Sequence, residues 1–283
     1  MNKRKPFQIL TKVFLINVIL TSVIAAHAQL VLQTDFENHA PGVPYTSQVW
    51  YTDGIKTLYT EGMDSRTAID TTHSYQGEKS LKVFYPVGNH GPKFSGAQAP
   101  LVIPPQIEYY MSYALKFDEN FSWGGSDQGG KLPGLAAGQN CSGCVICDGT
   151  NGFTARFMWR KGGKAVLYLY SMTKESRCGD DYDLILPNGE LAFFKPGEWI
   201  HLTERVKIND GDQSNGEVQI WFNGQEVLLI KGLKFVNNGQ KIDNFYFSTF
   251  HGGSGEQWSP ENDSYIWFDD IKVSTKFKDV SYR

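Results

Sequence analysis

The sequence has little of what would make it helical, membrane-spanning or nucleic-acid-binding. No stretch keeps apolar residues at helical spacing for more than a couple of turns, which excludes a helical bundle. Beyond the first 28 residues no apolar run approaches the roughly 20 residues of a membrane helix. No charge block, internal repeat or low-complexity linker divides the chain, so one domain over residues 29–283 is expected. Lys and Arg together number 27 against 30 Asp and Glu, a balance that speaks against a nucleic-acid partner. Cysteine is scarce, with four residues.

The first 28 residues read as a secretory signal peptide rather than as fold. Lys3, Arg4 and Lys5 precede a mostly apolar run over residues 13–26, and Ala26-His27-Ala28 offers a small-residue cleavage site. No Cys stands at the cut, so no lipid anchor is expected there, and no membrane association after cleavage. Cleavage removes four basic residues, with Lys12, and no acidic one, which moves the formal charge from −3 to −7. An anionic ligand remains compatible with that charge, because a local basic cleft attracts it. Export to the extracellular space or periplasm favours disulfides among Cys141, Cys144, Cys147 and Cys178. Three pairings are open. The Cys141-x-x-Cys144-x-x-Cys147 cluster, with Cys178 alone, lacks the paired doublets of a zinc site, so a stapled loop is expected and no metal.

Gly and aromatic residues are abundant instead, and the recurring pattern has period two. In residues 108–117, Tyr109, Met111, Tyr113, Leu115 and Phe117 share one face. In residues 153–159 the odd positions Phe153, Ala155, Phe157 and Trp159 are apolar. Residues 217–222 alternate and end on Asn223-Gly224, a two-residue hairpin signal, with residues 225–230 returning. Residues 246–250 and 265–273 read as further strands. Many short strands separated by Gly, Asn and Pro turns predict an all-β fold, a two-sheet antiparallel β-sandwich of jelly-roll type.

The other face of the 153–160 strand carries Thr154, Arg156, Met158 and Arg160, and the next strand carries Tyr168 and Tyr170. Such a face suits the floor of a sugar cleft, where rings stack on pyranose faces and cations meet carboxylates. Surface ion pairing and ordinary strand composition would produce the same residue types. The hairpin register discriminates. A two-residue turn at Gly162-Gly163 sets Arg156 opposite Leu169 and turns Tyr168 away. One residue more or less, or a bulge, sets Arg156 opposite Tyr168 and Thr154 opposite Tyr170. Chemistry on one face requires the second register, and the sequence leaves both open.

The ordered set is more specific than any piece of it. Gly129-Gly130-Lys131-Leu132-Pro133-Gly134-Leu135 is followed by Thr154-Ala155-Arg156-Phe157-Met158-Trp159-Arg160 and then by Tyr168-Leu169-Tyr170. Gly197-Glu198-Trp199, Phe247-Ser248-Thr249-Phe250 and Trp258-Ser259-Pro260 extend it. Over residues 95–273 this set resembles polysaccharide lyase family 14, which contains alginate and other uronate lyases of β-jelly-roll fold. The resemblance places Lys131, Arg156, Tyr168 and Tyr170 on catalytic positions, and Thr154 where the family is expected to carry Ser.

The implied chemistry is β-elimination. A base removes the C5 proton beside the uronate carboxylate, an acid protonates the departing C4 oxygen, and cations neutralise the carboxylate. Tyr168 or Tyr170 is expected to transfer a proton, and Lys131 and Arg156 to hold the carboxylate; Lys131 becomes a proton carrier if burial discharges it. Arg160, Gln128 and Thr154 are candidate substrate contacts. His251, before Gly252-Gly253, either lines the cleft or makes a structural hydrogen bond. A monomer acting on an acidic polysaccharide without a cofactor is expected, alginate first and glucuronan second. A Glu-x-Asp-x-x-Glu strand motif of sandwich hydrolases is absent. A non-catalytic carbohydrate-binding module is the competing class.

Overall fold

Period-two alternation puts one side of each strand into an apolar interior. The computed structural model describes residues 30–282, so the expected signal peptide lies outside the described residues. Fourteen strands form, all paired antiparallel: β1 Leu30–Thr34, β2 Thr67–Asp70, β3 Ser80–Tyr85, β4 Ala97–Gln106, β5 Glu108–Phe117, β6 Gly129–Ala137, β7 Phe153–Arg160, β8 Ala165–Tyr170, β9 Asp180–Asp183, β10 Trp199–Lys207, β11 Gly216–Phe222, β12 Gln225–Leu233, β13 Ile242–His251 and β14 Ser264–Ser274. One sheet runs β12-β11-β10-β5-β14-β3-β2, with β1 also on β14. The other runs β4-β13-β6-β7-β8-β9. The fold is a β-sandwich of two antiparallel sheets. No helix among the described residues is long and apolar enough to cross a membrane.

The core lies between the sheets. Phe153, Ala155, Phe157 and Trp159 of β7 and Leu167 and Leu169 of β8 share one cluster with Leu81, Val83, Met111, Tyr113, Leu115 and Phe117 from the first sheet. Burying each large side chain contributes about 1.5–3 kcal/mol. The β11–β12 hairpin turns at Asn223-Gly224 with both residues at positive φ and Phe222 opposite Gln225, as the sequence predicts.

With those apolar residues turned inward, the even positions of β7 and β8 face away from the partner sheet. The loop between β6 and β7 covers part of that face, and the rest opens onto a cleft. Cys141 and Cys147 of that loop pack with Met158, Val166, Tyr168 and Tyr170 in a second, smaller apolar cluster. All four cysteines form disulfides, Cys141–Cys147 and Cys144–Cys178.

Candidate active site

The β7–β8 turn holds three residues, Lys161, Gly162 and Gly163. Arg160 donates its amide to the Lys164 carbonyl at 2.8 Å, and Gly162 and Gly163 take φ of 67° and 85°. Two consecutive left-handed residues are what glycine permits. The three-residue loop sets Arg156 opposite Tyr168 and Thr154 opposite Tyr170, the register that chemistry on one face requires.

A bulge brings the lysine to the same face. Lys131 pairs with Met158 and Gly134 with Arg156, so three steps on β6 match two on β7. The extra residue in Leu132-Pro133 reverses the alternation, and Lys131 points into the cleft while Leu132 and Leu135 both enter the core. Two polar contacts from the opposite sheet hold this stretch. The Tyr113 hydroxyl donates to the Pro133 carbonyl at 3.1 Å, and the Leu135 amide donates to Glu204 Oε2 at 2.8 Å. Glu204 is fully buried, and burial raises its carboxyl well above the ordinary range.

These side chains line an open cleft of about 1010 Å³. The Lys131 amine stands 4.9 Å from the centre of the Tyr168 ring and 5.8 Å from that of Phe250. Burial holds its pKa well below the ordinary lysine value, and the charges of Arg156 and Arg160 lower it further. Arg156 is 3% exposed. It donates from Nη1 to Ser248 Oγ at 3.2 Å and stacks 5.0 Å from the Tyr246 ring centre. Its Nε–H has no acceptor, and no carboxylate pairs with it among the described residues. The Tyr168 and Tyr170 hydroxyls lie 3.3 Å apart. Burial and this contact raise the Tyr168 pKa, against the Gly179 amide and the charge of Arg160.

The remaining sequence candidates divide. Arg160 lines the cleft but is paired bidentately with Asp181, both contacts at 2.7 Å, with its guanidinium 5.3 Å from the Tyr168 ring centre. Thr154 does not reach the cleft: the β6–β7 loop covers it, and its hydroxyl donates to the Cys141 carbonyl at 3.0 Å. His251 is fully buried, with Nε2 2.8 Å from the Ser122 carbonyl oxygen and its pKa pushed down to about 4 by burial. The Gln128 side chain accepts from the Gly162 amide at 2.9 Å and buttresses the turn, outside the cleft lining.

Several lining residues were not singled out from sequence. Gln98 of β4 accepts from the Tyr246 hydroxyl at 2.8 Å and from Ser248 at 2.9 Å, and Tyr59 contacts Tyr246 at 2.9 Å. The signal was present: Tyr246 and Ser248 alternate with Phe245 and Phe247, and Gln98 is a lone polar residue in an apolar run. Tyr59 and Asp181 carry no such signal. Two smaller cavities, about 590 and 370 Å³, are lined by Asp35 together with Glu37, Asp270 and Asp279 or with Asp53. That acidic lining suits an anionic polymer poorly. Among the described residues no cluster of three His, Cys, Asp or Glu side chains is placed to hold a metal ion.

Known proteins give this geometry a context. The solved structure of alginate lyase Aly36B superposes with a TM-score of 0.70 at 25% identity, covering 86% of this chain and 95% of that one. Variants of it are solved with alginate tetrasaccharide and trisaccharide. The marine PL-14 alginate lyase from Aplysia kurodai gives a TM-score of 0.67 at 27% identity over 87% of this chain and 99% of that one. An endo-β-1,4-glucuronan lyase from the fungus Trichoderma reesei shares the fold alone, at 14% identity and a TM-score of 0.54, covering 89% of this chain and 98% of that one. No curated protein sequence matches the chain at a significant level. The family description Polysaccharide lyase 14 matches residues 73–271, which contain the whole set from Lys131 to Tyr170, and the chain belongs to that family of polysaccharide lyases.

Proposed function

We propose that this chain is an exported lyase that cleaves alginate by β-elimination in the cleft between β6, β7, β8 and β13. The observation that carries the reading is Arg156, a buried guanidinium with no carboxylate partner among the described residues, beside a lysine whose pKa burial lowers and a pair of phenols. Buried cations are ordinarily paired. Here the missing partner is the uronate carboxylate of the substrate.

The roles follow from the environments. Arg156 takes the C5 carboxylate and withdraws its charge, which makes the C5 proton removable. Lys131, whose amine burial makes easier to deprotonate, accepts that proton. Tyr168, held as the neutral phenol, gives its proton to the glycosidic oxygen as the C4–O bond breaks and the C4–C5 double bond forms. The resulting phenolate receives the Gly179 amide at 3.1 Å. Proton return from the ammonium to the phenolate resets the site. Tyr170 supports Tyr168 through the hydroxyl contact.

The test is ultraviolet absorbance of the mature protein with alginate, its mannuronate and guluronate blocks, and glucuronan. Elimination creates an absorbing conjugated double bond and hydrolysis does not. Rising absorbance on alginate, lost in Tyr168→Phe and Lys131→Met, is expected. Binding without absorbance would instead make the protein a carbohydrate-binding module, and a rise on glucuronan alone would change the substrate.

A further inference from the structure

Both phenol oxygens of the site receive a backbone amide, and both amides sit at one disulfide. Cys144 donates its N–H to the Tyr170 hydroxyl oxygen at 2.9 Å. Gly179, the residue after Cys178, donates to the Tyr168 hydroxyl oxygen at 3.1 Å. Cys144 and Cys178 are bonded to each other across a sequence separation of 34 residues. The two amides therefore come from separate loops, one between β6 and β7 and one between β8 and β9, joined at this point by the covalent bridge. Gly179 is seated against the rings: a Cβ there would lie 2.7 Å from the Tyr170 ring and 2.8 Å from the Tyr168 ring. Only glycine allows that approach.

We infer that the Cys144–Cys178 disulfide is a positioning device for the reaction, holding two amide donors on the phenol pair, so that turnover depends on its oxidised state. This rests on the proposed elimination mechanism. An amide aimed at a phenol oxygen favours the phenolate that forms as the leaving oxygen is protonated, and it fixes the direction of the hydroxyl. Holding it through a cross-link removes the loop freedom that would otherwise have to be lost in each turnover. The second disulfide differs in kind. Cys141–Cys147 closes a short loop on itself and is buried, and neither of its amides meets a phenol. Cys144 is exposed and Cys178 half-buried, so a thiol reagent reaches the positioning bridge first. A dithiol reductant would give two electrons and two protons to the bridge, leave Cys144 and Cys178 as thiols, and itself close to a cyclic disulfide.

The experiment compares the oxidised protein, the protein treated with dithiothreitol, Cys144→Ala/Cys178→Ala and Cys141→Ala/Cys147→Ala, each verified as folded by circular dichroism at the assay temperature. Reduction and the first double variant should lower kcat roughly 10²-fold, the scale of a misplaced reacting group, with KM little changed. Reoxidation should restore the reduced protein, and the second double variant, which loses packing against the phenols but keeps the clamp, should lose less kcat than the first. Amide hydrogen exchange at Cys144 and Gly179, read by nuclear magnetic resonance, decides the clamp without reference to turnover. Protection at both amides that disappears in Cys144→Ala/Cys178→Ala supports it. Unchanged kcat in that folded variant, or protection that survives bridge removal, overturns it. Absence of turnover in the oxidised wild type would count against the elimination reading, and the exchange result would still decide whether the bridge holds the amides.

Discussion

Replacing Arg156 with methionine should move activity and stability in opposite directions. In the free protein the guanidinium is buried with no acidic partner among the described residues, against the Ser248 hydroxyl at 3.2 Å and the Tyr246 ring at 5.0 Å, and its Nε–H is unsatisfied. Desolvating an ion costs several kcal/mol, and stacking on an aromatic ring returns about 0.5–2 kcal/mol. Methionine fills similar volume without the charge, so Tm should hold or rise, by about 2–4 °C for each kcal/mol in a chain of this size. With substrate bound the sign reverses. Losing one partner of a buried charge pair costs about 2–5 kcal/mol, which corresponds to a roughly 30- to 5,000-fold fall in kcat/KM. Arg156→Lys keeps the charge but not the planar fork and should fall between. Absorbance assays and thermal melts in one buffer read both quantities. A Tm lowered by several degrees, with kcat/KM near wild type, would show that the guanidinium is a structural element and not a waiting carboxylate partner.

Lys131→Met should abolish turnover and change the pH dependence of stability. The folded amine titrates below its ordinary value of 10.5, so the unfolded chain binds the extra proton and wild type loses stability as pH falls from that value toward the folded pKa. Urea unfolding of the variant should converge with wild type above this window and gain on it within, whereas a difference independent of pH would count against a lowered lysine pKa. Glu204→Leu removes the acceptor of the Leu135 amide and should destabilise by about 1–3 kcal/mol, while Glu204→Gln keeps an acceptor and should lose little in the same urea titration. Arg160→Ala breaks a half-exposed pair with Asp181 that contributes roughly 0–1 kcal/mol, so Tm should barely move while KM for polymer rises. A large Tm loss there would mean that the pair holds the β7–β8 turn.

What was legible in the sequence is what depends on neighbours along the chain. Alternation in residues 153–159 shows which side of β7 enters the core, and Asn223-Gly224 shows where a hairpin turns, because both are local properties. The register of β7 on β8 is not local. Gly162-Gly163 is compatible with a two-residue turn, and the third turn residue, Lys161, becomes apparent only once both strands are paired. What covers a sheet face is equally hidden. Thr154 stands in line with Arg156 on the same strand, yet the Cys141 carbonyl caps it because a loop thirteen residues earlier folds over that end of the sheet. His251 ends β13 pointing into the aromatic interior, stacked 5.5 Å from Phe121, for the same reason: the layer that receives a side chain comes from elsewhere in the chain.

The places where local rules break are the places where the cleft acquires its chemistry. A regular β6 would put Lys131 and Gly134 on opposite faces; the bulge at Leu132-Pro133 puts them on one, and the amine reaches Tyr168. A core built for stability alone would not leave the Arg156 Nε–H without an acceptor or set Lys131 where burial and then two guanidinium charges lower its pKa. These departures share one direction. Each leaves the free protein short of a negative group at the cleft floor, and in the proposed elimination a uronate ring delivers that group at the carbon whose proton must leave. Under that mechanism carboxylate binding and acidification of C5 are the same event, which would explain why Arg156, Lys131 and Tyr168 stand on adjacent strands of one sheet.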